Sequence, residues 1–297
     1  MKDAQIKVAD GRTLAYTDIG KTSWPCALFF HGAPVSRLHL GYLEHRFRAE
    51  RIRVISPDRP GYGNSSPQRC RSLLDWPADV AGLADALGID RFIVAGHSSG
   101  GPYAVACAAL LSERVSASIV LASVTDMGWP GAWPGYIESE QQLMRFADED
   151  SAVAWCVERF GADGRAFLSA TDFEFPEPDH ALFADDRTNA ALVSAIAAAF
   201  RQGVVGYAQD MIVQGRPWAF DPASIGVPVH IVHGGLDTLI PLSHSRHTPD
   251  VIHDSTLKVL PGHGHLSVVA ELAGIAAGLV RSVCGEVSER GRERQAI

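Results

Sequence analysis

The stretch Phe92-Ile-Val-Ala-Gly-His-Ser-Ser-Gly-Gly-Pro-Tyr103 decides the fold of this chain. Its apolar start, Phe92 to Ala95, is short enough for a buried strand, and the small residues from Tyr103 to Leu111 favour a helix. Between the two lies Gly96-His-Ser-Ser-Gly100, a G-x-S-x-G pattern in the strand–turn–helix context that gives it meaning. We expect a strained backbone at Ser98 and a hydroxyl held clear of the sheet. The flanking glycines leave room for this turn because they lack a Cβ.

Alternating strand and helix patterns surround this turn. Asp10-Gly11 predicts a hairpin between strands at Gln5–Ala9 and Arg12–Asp18. Further strands are predicted at Cys26–Phe30, Arg53–Ile55, Phe92–Ala95, Ala117–Ala122, Pro228–Val232 and Thr256–Leu260. Helices are predicted at Leu38–Glu50, Ser72–Leu87, Tyr103–Leu111 and Leu266–Val283. This alternation predicts an α/β fold with a mostly parallel, eight-stranded sheet covered by helices on both faces.

The pattern changes between residues 125 and 214, where no strand signal occurs. Ile137–Phe160 and Asn189–Gln214 favour helices, and Asp163–Asp186 is irregular and acidic. A connection of this length predicts a helical insertion at 125–214 into a core made of 1–124 and 215–284. The charged end, 285–297, lacks an apolar face and is expected to be a disordered tail.

Composition restricts the classes of function. The chain has 297 residues, of which 46% are hydrophobic and 20% charged, as in globular proteins. A net charge of −8 argues against a nucleic-acid partner. The sequence has no apolar stretch long enough for a membrane span and no signal-peptide pattern at Met1-Lys-Asp-Ala-Gln5. The five cysteines form neither a disulfide framework nor C-x-x-C pairs, so we expect a cytoplasmic protein.

Ligands of such sheets bind beyond the carboxyl ends of the strands, where Ser98 lies. A serine hydroxyl needs a base to take its proton and an acid to orient that base. His265 follows the last strand on a glycine-rich loop, and Asp237 follows the strand before it. The chain order Ser98, Asp237, His265 matches one of the known hydrolase orders. His263 is the rival base and Asp126 the rival acid, and we prefer His265 and Asp237.

The oxyanion of an acyl-transfer reaction needs two backbone donors. One is expected at Ser99, at the start of the helix after the turn. The other is expected at Ala33, in the loop His31-Gly-Ala-Pro34 that ends the third strand. No cofactor and no metal are required by this chemistry. His244 and His247 are three residues apart but lack the glutamate of a zinc-binding H-E-x-x-H pattern.

Five motifs together resemble the α/β-hydrolase superfamily, in its capped branch of proline iminopeptidase-like and esterase-like serine hydrolases. They are His31-Gly-Ala-Pro34, Asp58-Arg-Pro-Gly-Tyr-Gly-Asn-Ser65, Gly96-His-Ser-Ser-Gly-Gly-Pro-Tyr103, His233-Gly-Gly-Leu-Asp237 and Gly262-His-Gly-His265. The resemblance implies that Ser98 is the nucleophile, Asp237 the acid, His265 the base, and Ala33 and Ser99 the oxyanion hole. It also implies that the insertion caps the substrate pocket.

The insertion is expected to set the substrate. Its tryptophans, Trp129, Trp133 and Trp155, suit an apolar acyl or aromatic group. The predicted pocket consists of Trp129, Trp133, Tyr136 and Glu138. Peptidases of this branch bind the free amino terminus of a substrate with acidic cap residues. The candidates for that role here are Glu138, Glu140, Glu174 and Glu177.

We therefore expect a serine hydrolase that acts on a small ester or amide. The alternatives are a proline iminopeptidase-like aminopeptidase, a C–C bond hydrolase, a lactonase, and a small-molecule receptor that retains the triad without turnover. The expected partner is a small-molecule substrate, and the sequence does not fix an oligomeric state.

Overall fold

The computed structural model describes residues 1–171 and 173–281, and these residues contain a single eight-stranded sheet. The strands are β1 Lys2–Lys7, β2 Thr13–Ile19, β3 Cys26–Phe30, β4 Arg53–Pro57, β5 Phe92–His97, β6 Val115–Leu121, β7 Val229–Gly234 and β8 Ser255–Leu260. Their order across the sheet is β1-β2-β4-β3-β5-β6-β7-β8. β2 is antiparallel to both β1 and β4, and the other neighbouring pairs are parallel. The predicted mostly parallel α/β sheet is confirmed.

The helices of the described residues connect these strands. They are α1 Glu44–Glu50, α2 Trp76–Ala86, α3 Gly101–Leu110, α4 Glu138–Met144, α5 Glu149–Phe160, α6 Phe167–Ala170, α7 Glu177–Ala184, α8 Asp186–Ala199, α9 Val205–Gln214, α10 Leu242–Val251 and α11, residues 272–281. The predicted helix Leu38–Glu50 is a 3₁₀ turn, His39–Leu43, followed by α1. A second 3₁₀ turn, Ser267–Glu271, precedes α11.

Each central strand supplies side chains to two hydrophobic cores. In β3, Leu28 and Phe30 face the core formed with α2 and α3. Ala27 and Phe29 face the opposite core, which contains Phe47 of α1 and part of α11. Successive side chains of a strand point to opposite faces, so this run is apolar throughout because helices cover both faces.

Three other predicted helices also differ from the observed ones, for local reasons. The helix predicted from Ser72 begins at Trp76, where a proline in the first turn is compatible with a helix start. The helix predicted at 137–160 is divided into α4 and α5 because Asp148 caps α5, accepting a hydrogen bond from Ser151 N at 2.8 Å. The helix predicted at 189–214 is divided into α8 and α9 by a loop in which Gly203 has a φ of +82°.

The segment between β6 and β7 consists, in its described part, of helices and loops and contains α4 to α9. Its side chains share a hydrophobic cluster with Tyr62 and Ile240 of neighbouring loops. The larger members from the segment are Met127, Tyr136, Leu143, Met144, Phe160, Phe167, Phe200, Tyr207 and Met211. The division of the chain at 125 and 214 stays a prediction. The tail predicted at 285–297 lies outside the described residues. None of the described helices combines the length and apolarity required to span a membrane.

Candidate active site

The turn after β5 has the strained geometry that its sequence predicts. Ser98 has a φ of +52°, in the left-handed region, and is 7% exposed. A Cβ added to Gly96 would overlap the carbonyl of Gly100, and one added to Gly100 would overlap the carbonyl of Phe30. The turn is therefore restricted to glycine at both positions, and it lifts Ser98 out of the carboxyl end of β5.

Asp237 and His265 lie together beyond the ends of β7 and β8. The Nδ1–H of His265 donates to Asp237 Oδ2 at 2.9 Å. The other carboxylate oxygen accepts from the backbone N–H groups of Leu239 at 2.8 Å and Ile240 at 3.0 Å. These bonds fix the buried carboxylate and leave His265 Nε2 free to act on another group.

Ser98 and His265 line the same cavity. Among the hydrogen bonds of the described chain, none joins the two side chains directly. His97, which precedes Ser98, packs its ring 4.7 Å from the His265 ring. Its Nε2–H donates to the His265 carbonyl at 2.8 Å, so His97 packs at the strand ends and supports the backbone of His265.

The environment shifts the pKa values of this pair in opposite directions. Burial alone raises the pKa of Asp237, but the charge of His265 and its hydrogen bond outweigh burial, so the pKa is lowered. Burial alone lowers the pKa of His265, but Asp237 outweighs it and the pKa is raised. The pair therefore favours a carboxylate beside an imidazole that protonates readily.

The rival base and acid occupy other environments. His263 is 30% exposed and lies 3.6 Å from Glu271. Asp126 accepts backbone hydrogen bonds from Gly128 at 2.8 Å and Trp218 at 3.0 Å, which joins the two ends of the segment between β6 and β7. Neither residue contacts His265 through a hydrogen bond in the described chain.

The loop after β3 brings a backbone donor to the cavity. Ala33 is half-buried and lines the cavity beside Ser98. Its N–H donates no hydrogen bond within the described residues. Ser99 is the second residue of a 3₁₀ turn, Ser98–Gly100, and the first N–H groups of a helix have no acceptor within it. Both amides are thus available to a bound oxyanion.

Arg59, from the loop after β4, holds the loop that contains Ala33. Its guanidinium donates to the His31 carbonyl, and its backbone N–H donates to His31 Nε2 at 3.3 Å. Burial, followed by the charge of Arg59, lowers the pKa of His31 well below its ordinary value. A neutral His31 therefore serves as a fixed acceptor inside the protein.

The cavity beside Ser98 has a volume of about 150 Å³. Its apolar wall comes largely from the segment between β6 and β7, which supplies Ile137, Phe167, Leu168, Phe173, Phe175, Phe183, Leu192 and Ile196. A cavity of this size accommodates a group comparable to benzene. The phenylalanines at 167, 173, 175 and 183 were missed by sequence reasoning, although their recurrence through an otherwise acidic, irregular stretch is a usable signal.

The four residues predicted to form the pocket lie outside the lining of this cavity. Trp129 stacks on His247 at 3.9 Å, and the Trp133 indole donates to the Met127 carbonyl at 3.1 Å. Glu138 lies on a separate surface depression. Both tryptophans precede α4 in the chain, and Trp129 packs against α10 through His247.

Tyr136, the fourth predicted pocket residue, contacts the cavity indirectly through Glu140. Its hydroxyl donates to Glu140 Oε2 at 2.5 Å, and Tyr207 donates to the other oxygen at 3.5 Å. Burial raises the pKa of Glu140. Of the four acidic candidates for binding an amino terminus, Glu140 is the one that lines the cavity.

A model of the alpha/beta hydrolase family matches residues 27–277. The chain belongs to the alpha/beta hydrolase family.

The proteins that this chain resembles carry the names of different hydrolases. The chain is 26% identical over 290 residues to the uncharacterized hydrolase YcgS of Bacillus subtilis, covering 92% of this chain and 96% of that one. It is 25% identical over 272 residues to the bifunctional esterase/perhydrolase DCH of Acinetobacter calcoaceticus, covering 88% and 92%. The crystal structure of epoxide hydrolase A from Mycobacterium thermoresistibile has a TM-score of 0.72 at 18% identity, covering 94% and 98%, and therefore supports the fold alone.

Proposed function

We propose that the chain is a serine hydrolase that cleaves a small ester or amide through an acyl-enzyme. The observation that carries this proposal is the bond between His265 and the buried Asp237, at a cavity that Ser98 also lines. The relative from Acinetobacter calcoaceticus is named as an esterase/perhydrolase, which supports the same reaction class.

In the proposed reaction, Ser98 Oγ attacks the substrate carbonyl while His265 Nε2 takes its proton. The resulting imidazolium is stabilised by the carboxylate of Asp237, which also holds the ring through Nδ1–H. His265 then gives the proton to the leaving group. A water molecule deprotonated by the same imidazole then attacks the acyl carbonyl. His265 returns the proton to Ser98 Oγ as the bond between Oγ and the acyl carbon breaks and the acid is released. In enzymes without substrate, the bond between serine and histidine is often long and shortens in the substrate complex.

The amides of Ala33 and Ser99 serve as the oxyanion hole in this proposal. Loss of one such donor lowers kcat by about 10²–10³ in other serine hydrolases, so a fixed loop is essential. Arg59 supplies that fixation through the His31 carbonyl.

The segment 125–214 acts as a cap that excludes water and shapes the acyl site. Its phenylalanines form the apolar wall, and the volume of about 150 Å³ suits a small acyl or aromatic group. The buried Glu140 on this wall favours a second candidate, an aminopeptidase whose substrate carries a free amino group.

The test compares the wild type with Ser98→Ala, using a fluorophosphonate probe, a panel of p-nitrophenyl esters, and prolyl and alanyl anilides. We expect Ser98→Ala to lose labelling and to lose roughly 10⁴-fold or more in turnover, because the nucleophile is absent. Ser112→Ala, which alters an exposed serine, is the matched control. Undiminished labelling or turnover in Ser98→Ala contradicts the proposal.

The same panel separates the candidates. Preferential hydrolysis of esters supports the first candidate, and preferential release of proline from the prolyl anilide supports the second. Tight ligand binding without turnover of either class favours a receptor with a retained triad.

A further inference from the structure

Asp179, in the first turn of α7, is a fully buried carboxylate of the insertion that binds the loop carrying His265. Its oxygens accept hydrogen bonds from the backbone N–H groups of Leu266 at 3.0 Å and Ser267 at 2.8 Å. The Ser267 hydroxyl donates to the same carboxylate at 2.7 Å and accepts from the Gly264 N–H at 2.8 Å. The turn that contains His265 is therefore closed by Ser267 and anchored by Asp179.

Gly264 allows this close approach between the insertion and the turn. A Cβ at Gly264 would lie 2.5 Å from Pro176 Cγ and 2.6 Å from Asp179 Oδ2, which is shorter than real contacts permit. The backbone on both sides of His265 is thus pressed against the start of α7. Displacement of this segment would necessarily release the turn.

The same segment also contacts the loop of Asp237. The hydroxyl of Thr238, the next residue along the chain, donates to the carbonyl of Glu174. Residues 174–179 therefore bind the loop of the acid at one end and the loop of the base at the other. Phe175, between these two anchors, lines the cavity.

We propose that Asp179 is a positioning residue for His265. Residues 174–179 hold the loop of Asp237 and the loop of His265 in a fixed relative position when the insertion covers the cavity. This inference rests on the proposed function, because it assigns His265 the role of base. Residues 174–179 would then both form part of the pocket wall and align the base His265. A substrate that packs on Phe175 then stabilises the segment that orients His265.

Charge adds to this geometric role. The titratable groups that act on His265 are Asp237 on the loop after β7, Asp179 on α7, Glu140 on α4, His97 and His233 on β5 and β7, and His39 in the 3₁₀ turn before α1. Burial lowers the pKa of His265, and the charges of Asp237, Asp179 and Glu140 raise it. Neutralising Asp179 therefore lowers the pKa of the imidazole.

The competing explanation is that Asp179 only caps the N-terminus of the last helical segment. A carboxylate in that place stabilises a helix without affecting proton transfer. The two roles differ in one observable. A cap that serves stability alone leaves kcat of the folded variants unchanged at a pH above the acidic limb, whereas the loss of the charge moves that limb in either case.

The experiment measures fluorophosphonate labelling rates from pH 5 to 9, and kcat and KM on a p-nitrophenyl ester, for wild type, Asp179→Asn and Ser267→Ala. For Asp179→Asn we expect kcat to fall about tenfold with KM nearly unchanged, since the base is misplaced. We expect its acidic limb to move to lower pH, because a negative charge near the base is lost. Ser267→Ala keeps the charge, so its kcat falls without that movement.

Asp185→Asn is the matched control, because Asp185 is an exposed cap of α8 on the same insertion. An unchanged kcat and labelling rate in folded Asp179→Asn, measured above its acidic limb, or an equal loss in Asp185→Asn, overturns the positioning role. If Asp179→Asn does not fold, as judged by circular dichroism, an unchanged kcat in Ser267→Ala overturns it instead. Ser98→Ala separates this failure from that of the proposed function: activity in Ser98→Ala rejects the serine mechanism, whereas its loss beside a normal Asp179→Asn rejects only the role of Asp179.

Discussion

At the scale of single residues, the pKa of His265 is set by two opposing effects. Burial favours the neutral ring, and the nearby carboxylate of Asp237 favours the charged one and prevails. In the proposed mechanism His265 must be neutral to accept a proton, so activity is expected to appear as pH rises through its pKa. Because that pKa is raised, the acidic limb of the activity is expected above the position that an ordinary histidine gives.

Asp237→Asn tests this balance. The variant removes the charge that raises the pKa of His265, so the acidic limb should move to lower pH. Turnover at neutral pH should fall by roughly 10⁴-fold, because an amide no longer enforces the correct tautomer. The measurement is the pH profile of fluorophosphonate labelling and of ester hydrolysis.

Asp126→Asn is the control, since Asp126 is the other acid that the sequence admits. Its hydrogen bonds hold backbone at the ends of the insertion, so the variant should keep the position of the acidic limb. A limb that moves in Asp126→Asn and stays in Asp237→Asn would reverse the assignment.

At the scale of elements, the turn between β5 and α3 follows from sequence because its constraints are local. Gly96, Ser98 and Gly100 lie within five residues, so the strained φ and the absence of Cβ atoms are both implied by the motif. The residues of the cavity wall were harder to predict from the sequence. Its phenylalanines lie in and around the short helices α6 and α7, which are too short to show a clear hydrophobic periodicity. Their orientation toward the cavity depends on packing against distant parts of the chain.

Gly100→Ala tests the steric restriction at this turn. The added methyl overlaps the Phe30 carbonyl, and neither backbone can move without disturbing β3 or β5. We expect the free energy of unfolding to fall by about 3 kcal/mol, the upper part of the range for overpacking. Chemical denaturation with urea measures this difference.

Gly82→Ala provides the matched comparison, because an added Cβ there meets nothing within 4 Å. Gly82 lies inside α2, where alanine is favoured over glycine by roughly 0.5–1 kcal/mol, so this variant should be slightly more stable than the wild type. Equal effects of the two substitutions would contradict the steric account of the turn.

At the scale of the whole molecule, Asp210 on α9 joins the insertion to the core. Its buried carboxylate accepts hydrogen bonds from Arg59 at 2.7 and 3.1 Å, Arg71 at 3.1 Å and Tyr103 at 2.6 Å. These partners are 107 to 151 positions away in sequence, so no local pattern predicts the network. The motif that contains Arg59 is recognisable in the sequence, but the acid that neutralises it is not.

This network gives the attachment of the insertion a specific dependence on pH. Burial raises the pKa of Asp210, but the charges of Arg59 and Arg71 outweigh it and lower the pKa to about 2. A folded-state pKa below the ordinary 3.8 means that the contribution to stability is complete above about pH 4 and is lost as pH falls toward 2.

Asp210→Asn should therefore destabilise the protein by about 3–5 kcal/mol near neutral pH, because two buried guanidinium groups lose their counter-charge. The difference from wild type should shrink as pH falls from about 4 to about 2, since protonation removes the same charge from the wild type. Urea denaturation at a series of pH values measures both quantities. Asp186→Asn, at an exposed position of α8, should stay within about 0.5 kcal/mol of wild type throughout. A difference for Asp210→Asn that is small at neutral pH, or constant down to pH 2, would mean that this network does not hold the insertion to the core.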